Sequence, residues 1–188
     1  MAFCRLVELR WSRSNIARAG PARETALSQR ILPLIAALHT AVIAGTFVRG
    51  KRRPNPAWLG ALLAVQPLRV WALLTLGRWW NARGSVAEAT EVVTGGPYRY
   101  VRHPNYAVVL VELAALPAAF GLARLAFAAT AANCLLIAVR IREEERLLFA
   151  LPGYREYFAG RPRFIPRLRF RSTRSEHAGD QARHISRP

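Results

Sequence analysis

The sequence predicts an all-α, polytopic membrane bundle of about four transmembrane helices, with a long loop and a C-terminal segment on the cytoplasmic side. Three observations carry this. More than half of the 188 residues, 52%, are hydrophobic, yet 28 Lys plus Arg stand against 11 Asp plus Glu, for a net charge of +17. The charges are excluded from long apolar stretches, and the basic residues are distributed unequally between the segments that join them.

Each element follows in order. Residues 1–30 hold six arginines and no uninterrupted apolar region, which excludes a secretory signal peptide. With Leu6, Val7, Leu9 and Trp11 among the arginines, this segment reads as a basic interfacial helix. Ile31 to Val48 is 18 residues without a charge, and Ala57 to Gly77 is 21 with only Arg69. Either is long enough to cross a hydrocarbon core of about 30 Å. Tyr106 to Val139 is 34 residues with two charges, Glu112 and Arg124, and suits two spans with a turn at Gly121. Alanine-rich stretches such as Ala114-Ala115 and Ala128-Ala129 also suit a buried helix of a soluble core, but the charge exclusion favours the membrane. Residues 31–166 are thus read as one membrane domain and 167–188 as a basic, disordered tail.

Four spans put the N-terminus, the loop from Trp80 to Pro104 and the tail on one side. That side carries 22 basic residues and the opposite side 5, so the termini and the long loop are expected in the cytoplasm. The two cysteines, Cys4 and Cys134, define neither a disulfide framework nor a metal cluster. The eight arginines from Arg161 to the C-terminus could meet phosphates, but no zinc spacing, helix-turn-helix or RNA-binding signature accompanies them. A partner role for nucleic acid is set aside, and anionic membrane lipid is the expected neighbour of the basic surface.

Two polar constellations lie on the cytoplasmic side. Gly95-Gly96-Pro97-Tyr98-Arg99-Tyr100-Val101-Arg102-His103-Pro104-Asn105-Tyr106 runs into the third span, with Pro104 suited to a first helical turn. A helix start with free N–H groups beside Arg102 and His103 suits a carboxylate. Interfacial anchoring by tyrosine and arginine is the plainer reading of that composition. At the end of the fourth span, Arg140-Ile141-Arg142-Glu143-Glu144-Glu145-Arg146 places Arg140 and Glu144 four residues apart on one face. Such a run usually marks a solvated helix end, but three successive glutamates in a chain with 11 acids also concentrate negative charge that could hold an ammonium or sulfonium cation. The hairpin of the third and fourth spans returns both constellations to one membrane face, where together they suit a zwitterion with a positive centre.

Taken together, Gly96 to Tyr106, a helical hairpin, Glu144-Glu145 and Gly153-Tyr154-Arg155-Glu156-Tyr157 closely resemble the isoprenylcysteine carboxyl methyltransferase family and its phospholipid methyltransferase relatives. The resemblance covers about half the chain, from Leu76 to Pro166. It implies an integral membrane methyltransferase that uses S-adenosyl-L-methionine, with the 80–104 segment as its catalytic loop. It further implies that Thr90, Glu91, Val92, Val93, Tyr98, His103, Pro104, Asn105 and Tyr106 wrap the cofactor. Glu144, with Glu145, would complete that site, and Arg140 would face the methyl acceptor. Glu144, Glu145 or His103 could serve as base, and no metal is implied.

A narrower resemblance covers the N-terminal half. Arg5-Leu6-Val7-Glu8-Leu9-Arg10-Trp11, Leu38-His39-Thr40, Gln66-Pro67-Leu68-Arg69 and Gly77-Arg78-Trp79-Trp80-Asn81-Ala82-Arg83 are similar to a bacterial branch found with type III polyketide synthases. That branch implies O-methylation of an alkylresorcinol or alkylpyrone in the bacterial cytoplasmic membrane and a functional link to such a synthase; its members usually carry an apolar span ahead of the Arg5–Glu8 motif, and this sequence departs in starting almost at that motif. His39 and Arg69 are candidates for lining the cavity of this lipophilic acceptor or for hydrogen bonding between helices. A membrane protein without catalysis, anchoring lipids or partners through its arginines, is the competing class.

Overall fold

The structure, a computed structural model, describes residues 2–166, with side chains from residue 5 onward; the expected disordered tail lies outside them. Helix α1 covers Ala2–Ala19 and stops at Gly20, whose φ of +74° suits a residue without a Cβ. A two-residue strand β1, Ala22–Arg23, pairs antiparallel with β2, Val86–Ala87. Helix α2, Ala26–Arg49, is capped by Thr25, whose side chain accepts from the Ser28 N–H.

The expected second span is broken. Helix α3 covers Pro56–Ala64 and α4 covers Gln66–Leu76, continued by a 3-10 turn at Gly77–Trp79. Pro67 has no N–H to donate to the turn before it. The Leu63 carbonyl that an N–H at 67 would have reached accepts from the Val65 N–H, and the Gln66 Nε2 donates to the Leu62 carbonyl at 3.0 Å. The hairpin follows as α5, Pro104–Ala119, and α6, Ala123–Leu148, joined at Gly121 with φ +77°. A short α7, Tyr154–Phe158, returns the chain to the long loop, where the Tyr157 hydroxyl donates to the Thr94 carbonyl.

Among the described residues, three helical runs are long and apolar enough to cross a membrane: Ala26–Arg49, Pro56–Trp79 and Ala123–Leu148, of 24, 24 and 26 residues. At 1.5 Å per residue, 24 residues reach about 36 Å. α5 is apolar but has only 16 residues. Most of these surfaces face outward: Phe47, Leu74, Phe127 and Leu135 are exposed, while Val42, Val109, Leu113, Ala129 and Ile137 pack inside. An apolar shell around a partly polar interior is what lipid as solvent requires, and the chain is an all-α integral membrane bundle.

Hydrogen bonds to backbone carbonyls define the two ends. At one, Lys51 N–H donates to the Phe120 carbonyl and Asn55 N–H to Ala119, so the two short connections meet. At the other, the Ser28 hydroxyl donates to the Arg83 carbonyl, Asn15 donates to the Gly77 and Trp80 carbonyls, and Arg140 donates to the Ala82 carbonyl. The starts of α2 and α5, the long loop and the end of α6 are thereby gathered together, as the hairpin count predicts.

Candidate functional site

At that second end a cavity of about 370 Å³ opens among the helices. Its polar wall is built by α5 and α6. His103 caps α5 and Pro104 opens it, which places Tyr106 inside the first turn. The Arg140 Nε donates to the Tyr106 hydroxyl at 2.7 Å, and that hydroxyl donates to the Glu144 Oε2 at 2.6 Å. Arg140 and Glu144 share a face as their spacing predicts, but Tyr106 stands between them and makes a directed chain from guanidinium to carboxylate.

Glu145 takes a different position from its neighbour. It is absent from the cavity lining. Its carboxylate accepts from Arg163 at 2.6 and 3.1 Å, is bonded to His103 Nε2 at 3.1 Å and lies 3.3 Å from Arg102. Hydrogen bonding to Glu145 pushes the Arg163 guanidinium up from its ordinary value. The Arg102 and His103 N–H groups donate to the Pro162 and Arg163 carbonyls. Glu145 thus binds the 102–103 turn to the returning 162–163 segment, and in doing so sets where α5 begins.

The opposite wall is aromatic and aliphatic. Val92 and Val93 pack with Ala72, Tyr98, Tyr154 and Phe158. Tyr154 and Phe158 stack with ring centroids 4.5 Å apart. Burial first, and the charge of Glu144 second, push the phenols of Tyr98 and Tyr154 up, so both stay neutral. Thr90 and Glu91 also line the cavity, Glu91 while its carboxylate pairs with Arg78 at 2.6 Å near the surface. Asn105 lines it too, and its Oδ1 is buried with no hydrogen-bond partner among the described residues.

Sequence reasoning missed the 81–85 turn. The Ala82 carbonyl holds Arg140, and Gly84, at φ +69°, comes so close that a Cβ there would stand 3.2 Å from Arg140 Nη2 and 3.4 Å from Glu144 Oε2. An Asn-Ala-Arg-Gly-Ser turn gives no sign of which helix it covers. Glu112 was seen only as one of two charges in the hairpin. It is 2% exposed and bonded to Arg5, Arg69 and Gln66. An acid within an apolar span needs such partners, and that was the available signal.

Fold and cavity define an integral membrane protein whose chamber, polar on one wall and apolar on the other, opens beside one end of its spans. Residues 58–150 match the family model described as the isoprenylcysteine carboxyl methyltransferase (ICMT) family. Among similar proteins, the uncharacterized protein YpbQ of Bacillus subtilis is 38% identical over 100 residues, covering 52% of this chain and 60% of that protein. The nickel-cobalt-cadmium resistance protein NccN of Alcaligenes xylosoxydans xylosoxydans is 31% identical over 150 residues, covering 77% of this chain and 70% of the relative. The cobalt-zinc-cadmium resistance protein CzcN of Cupriavidus metallidurans is 32% identical over 142 residues, covering 73% and 66%. The chain therefore spans 60 to 70% of the length of these relatives. It belongs to the isoprenylcysteine carboxyl methyltransferase family.

Proposed function

We propose that this protein is an S-adenosylmethionine-dependent membrane methyltransferase that O-methylates a lipophilic acceptor, an alkylresorcinol or alkylpyrone hydroxyl. It acts at the cytoplasmic face of the bacterial cytoplasmic membrane, in functional association with a type III polyketide synthase. The observation that carries the reading is the Arg140–Tyr106–Glu144 chain on the cavity wall, within the stretch that matches the family.

The residues present fit the cofactor. Glu144 offers a half-buried carboxylate for an ammonium, the start of α5 offers N–H groups for a carboxylate, and Tyr98 and Tyr154 offer a neutral aromatic wall. The unpartnered Asn105 Oδ1 is an acceptor available to a ligand N–H. When bound, S-adenosylmethionine supplies an electrophilic methyl group on sulfur. The protein's own contribution is orientation and proton handling. An acceptor hydroxyl can donate to the remaining lone pair of Tyr106. Its proton passes to Tyr106 Oη as the Tyr106 proton passes to Glu144 Oε2, and the Arg140 guanidinium faces the oxygen anion left behind. A carboxylate acceptor would need only Arg140, so the built relay supports a hydroxyl.

Incubating the purified protein with methyl-labelled S-adenosylmethionine, an alkylresorcinol and N-acetyl farnesylcysteine tests the assignment. Label on the alkylresorcinol is expected. Label on the cysteine derivative alone overturns the hydroxyl reading.

A further inference from the structure

Motifs from the N-terminal half that the proposed chemistry does not use meet in space. Arg69 on α4 donates Nε and Nη2 to Glu8 on α1, both at 2.6 Å, and lies 3.2 Å through Nη1 from Glu112 on α5. Arg5 bridges the same carboxylates, 3.2 Å from Glu8 and 2.5 Å from Glu112, and Gln66 donates to the other Glu112 oxygen at 3.0 Å. Among the described residues, two guanidiniums and two carboxylates balance in this cluster. His39 on α2 and Asn133 on α6 lie beside it. His39 Nε2 and both polar side-chain atoms of Asn133 are buried and have no hydrogen-bond partner among the described residues, and Asn133 is fully buried.

This cluster is not a separate compartment. Arg5, Glu8, His39 and Arg69 line the same cavity as Tyr106, Arg140 and Glu144. The Ser28 and Arg140 bonds to the 82–83 turn set the start of α2 level with Arg140. His39 lies eleven residues further along α2, roughly 16 Å by helical rise. Ile35 and Ala36 on α2 and Ile137 on α6 line the cavity in that interval.

A cavity with polar groups at both ends and aliphatic walls between them suits an amphiphile that is polar at two places. We propose that the Arg5–Glu8–His39–Arg69 cluster is a second recognition pole, which binds a hydroxyl or carbonyl group on the chain of the resorcinol or pyrone acceptor, far from the methylated oxygen, so that the preferred acceptor is one with an oxygenated tail. The inference rests on the reading of this cavity as the acceptor chamber. The charges at the pole already neutralise one another, so a charged group finds no counterion there. His39 Nε2 faces Asn133 without a hydrogen bond of ordinary length, so a neutral polar group can pair with it, whereas a plain alkyl tail leaves it without one in an apolar medium.

The probes are dodecanol and dodecanediol, the second carrying a hydroxyl at each end. Binding to the detergent-solubilised full chain is read from the fluorescence of Trp79 and Trp80, which line the cavity. The advantage of diol over alcohol should fall about tenfold in His39→Leu, the size of one hydrogen bond to a buried group, and return in His39→Asn. Comparing variants cancels the partition of each probe into micelles. In the wild-type protein alone, the advantage should peak at an intermediate length across octanediol, dodecanediol and hexadecanediol, which keeps the inference open to refutation if His39→Leu does not fold. An equal diol-to-alcohol ratio in wild type and His39→Leu, or an advantage independent of diol length, overturns it. Calorimetry with S-adenosylmethionine separates the two proposals. Cofactor binding without diol discrimination removes the second pole alone, and diol discrimination without cofactor binding removes the methyltransferase reading.

Discussion

Replacing Glu144 by glutamine keeps the size of the side chain and an acceptor for the Tyr106 hydroxyl, but removes the negative charge facing the cavity. Glu144 Oε2 is committed to Tyr106 at 2.6 Å, so the other oxygen is the one available to the methionyl ammonium. A hydrogen bond between charged partners contributes about 1.5–3 kcal/mol, and a neutral amide recovers part of it. Glu144 is half-buried, so solvent screens the interaction and the lower part of the range applies. A net loss of about 1.5–2 kcal/mol corresponds to roughly 10- to 30-fold weaker S-adenosylmethionine binding by calorimetry in detergent. Glu145→Gln should behave in the opposite way. It loosens contacts to His103, Arg102 and Arg163 and lowers thermal stability by about 1–3 kcal/mol, with Arg163 44% exposed and the figure discounted accordingly. Unchanged cofactor affinity in Glu144→Gln, or a larger affinity loss in Glu145→Gln, refutes the division of labour between these adjacent carboxylates.

Tyr106→Phe interrupts the relay while keeping the ring, so kcat should fall about 100-fold or more with little change in S-adenosylmethionine affinity, measured by steady-state transfer and calorimetry. Gly84→Ala strains a backbone at φ +69° and presses on Arg140 and Glu144; it should cost about 1–2 kcal/mol in thermal unfolding and lower transfer more than an alanine at exposed Gly60. In a background with Cys4 and Cys134 replaced by serine, an impermeant thiol reagent on intact cells should label Arg52→Cys and spare Arg102→Cys and Arg171→Cys; equal labelling of all three refutes the topology.

Much of this arrangement was legible because it depends on short-range periodicity and parity. Charge-free length located α2, Gly121 located the hairpin turn, and an even number of crossings returned Glu144 to His103 and Tyr106. Local pattern could not show what depends on the third dimension. At the break before Pro67 the Val65 N–H takes the Leu63 carbonyl and the Gln66 side chain takes the Leu62 carbonyl. Tyr106 enters between Arg140 and Glu144 because α5 and α6 pack with that offset. The partner of Glu145 comes from Arg163, on a segment with no periodic signal at all. Arg5, Glu8 and Arg69, read separately as an interfacial helix and a lone charge in a span, proved to be halves of one ion-pair cluster around Glu112. Pairing across α1, α4 and α5 leaves no trace in the spacing along any one of them.

Methyl transfer from S-adenosylmethionine to a membrane-soluble acceptor can be read in vesicles from cells expressing the full chain. With methyl-labelled cofactor, organic solvent should extract a labelled lipophilic product from wild-type vesicles. Vesicles carrying equal amounts of Tyr106→Phe should yield roughly one-hundredth as much, by the loss of acid–base assistance. Extractable label at the same level in wild type, Tyr106→Phe and vesicles lacking the protein, with S-adenosylmethionine present in excess and acceptor lipids added, would contradict the account.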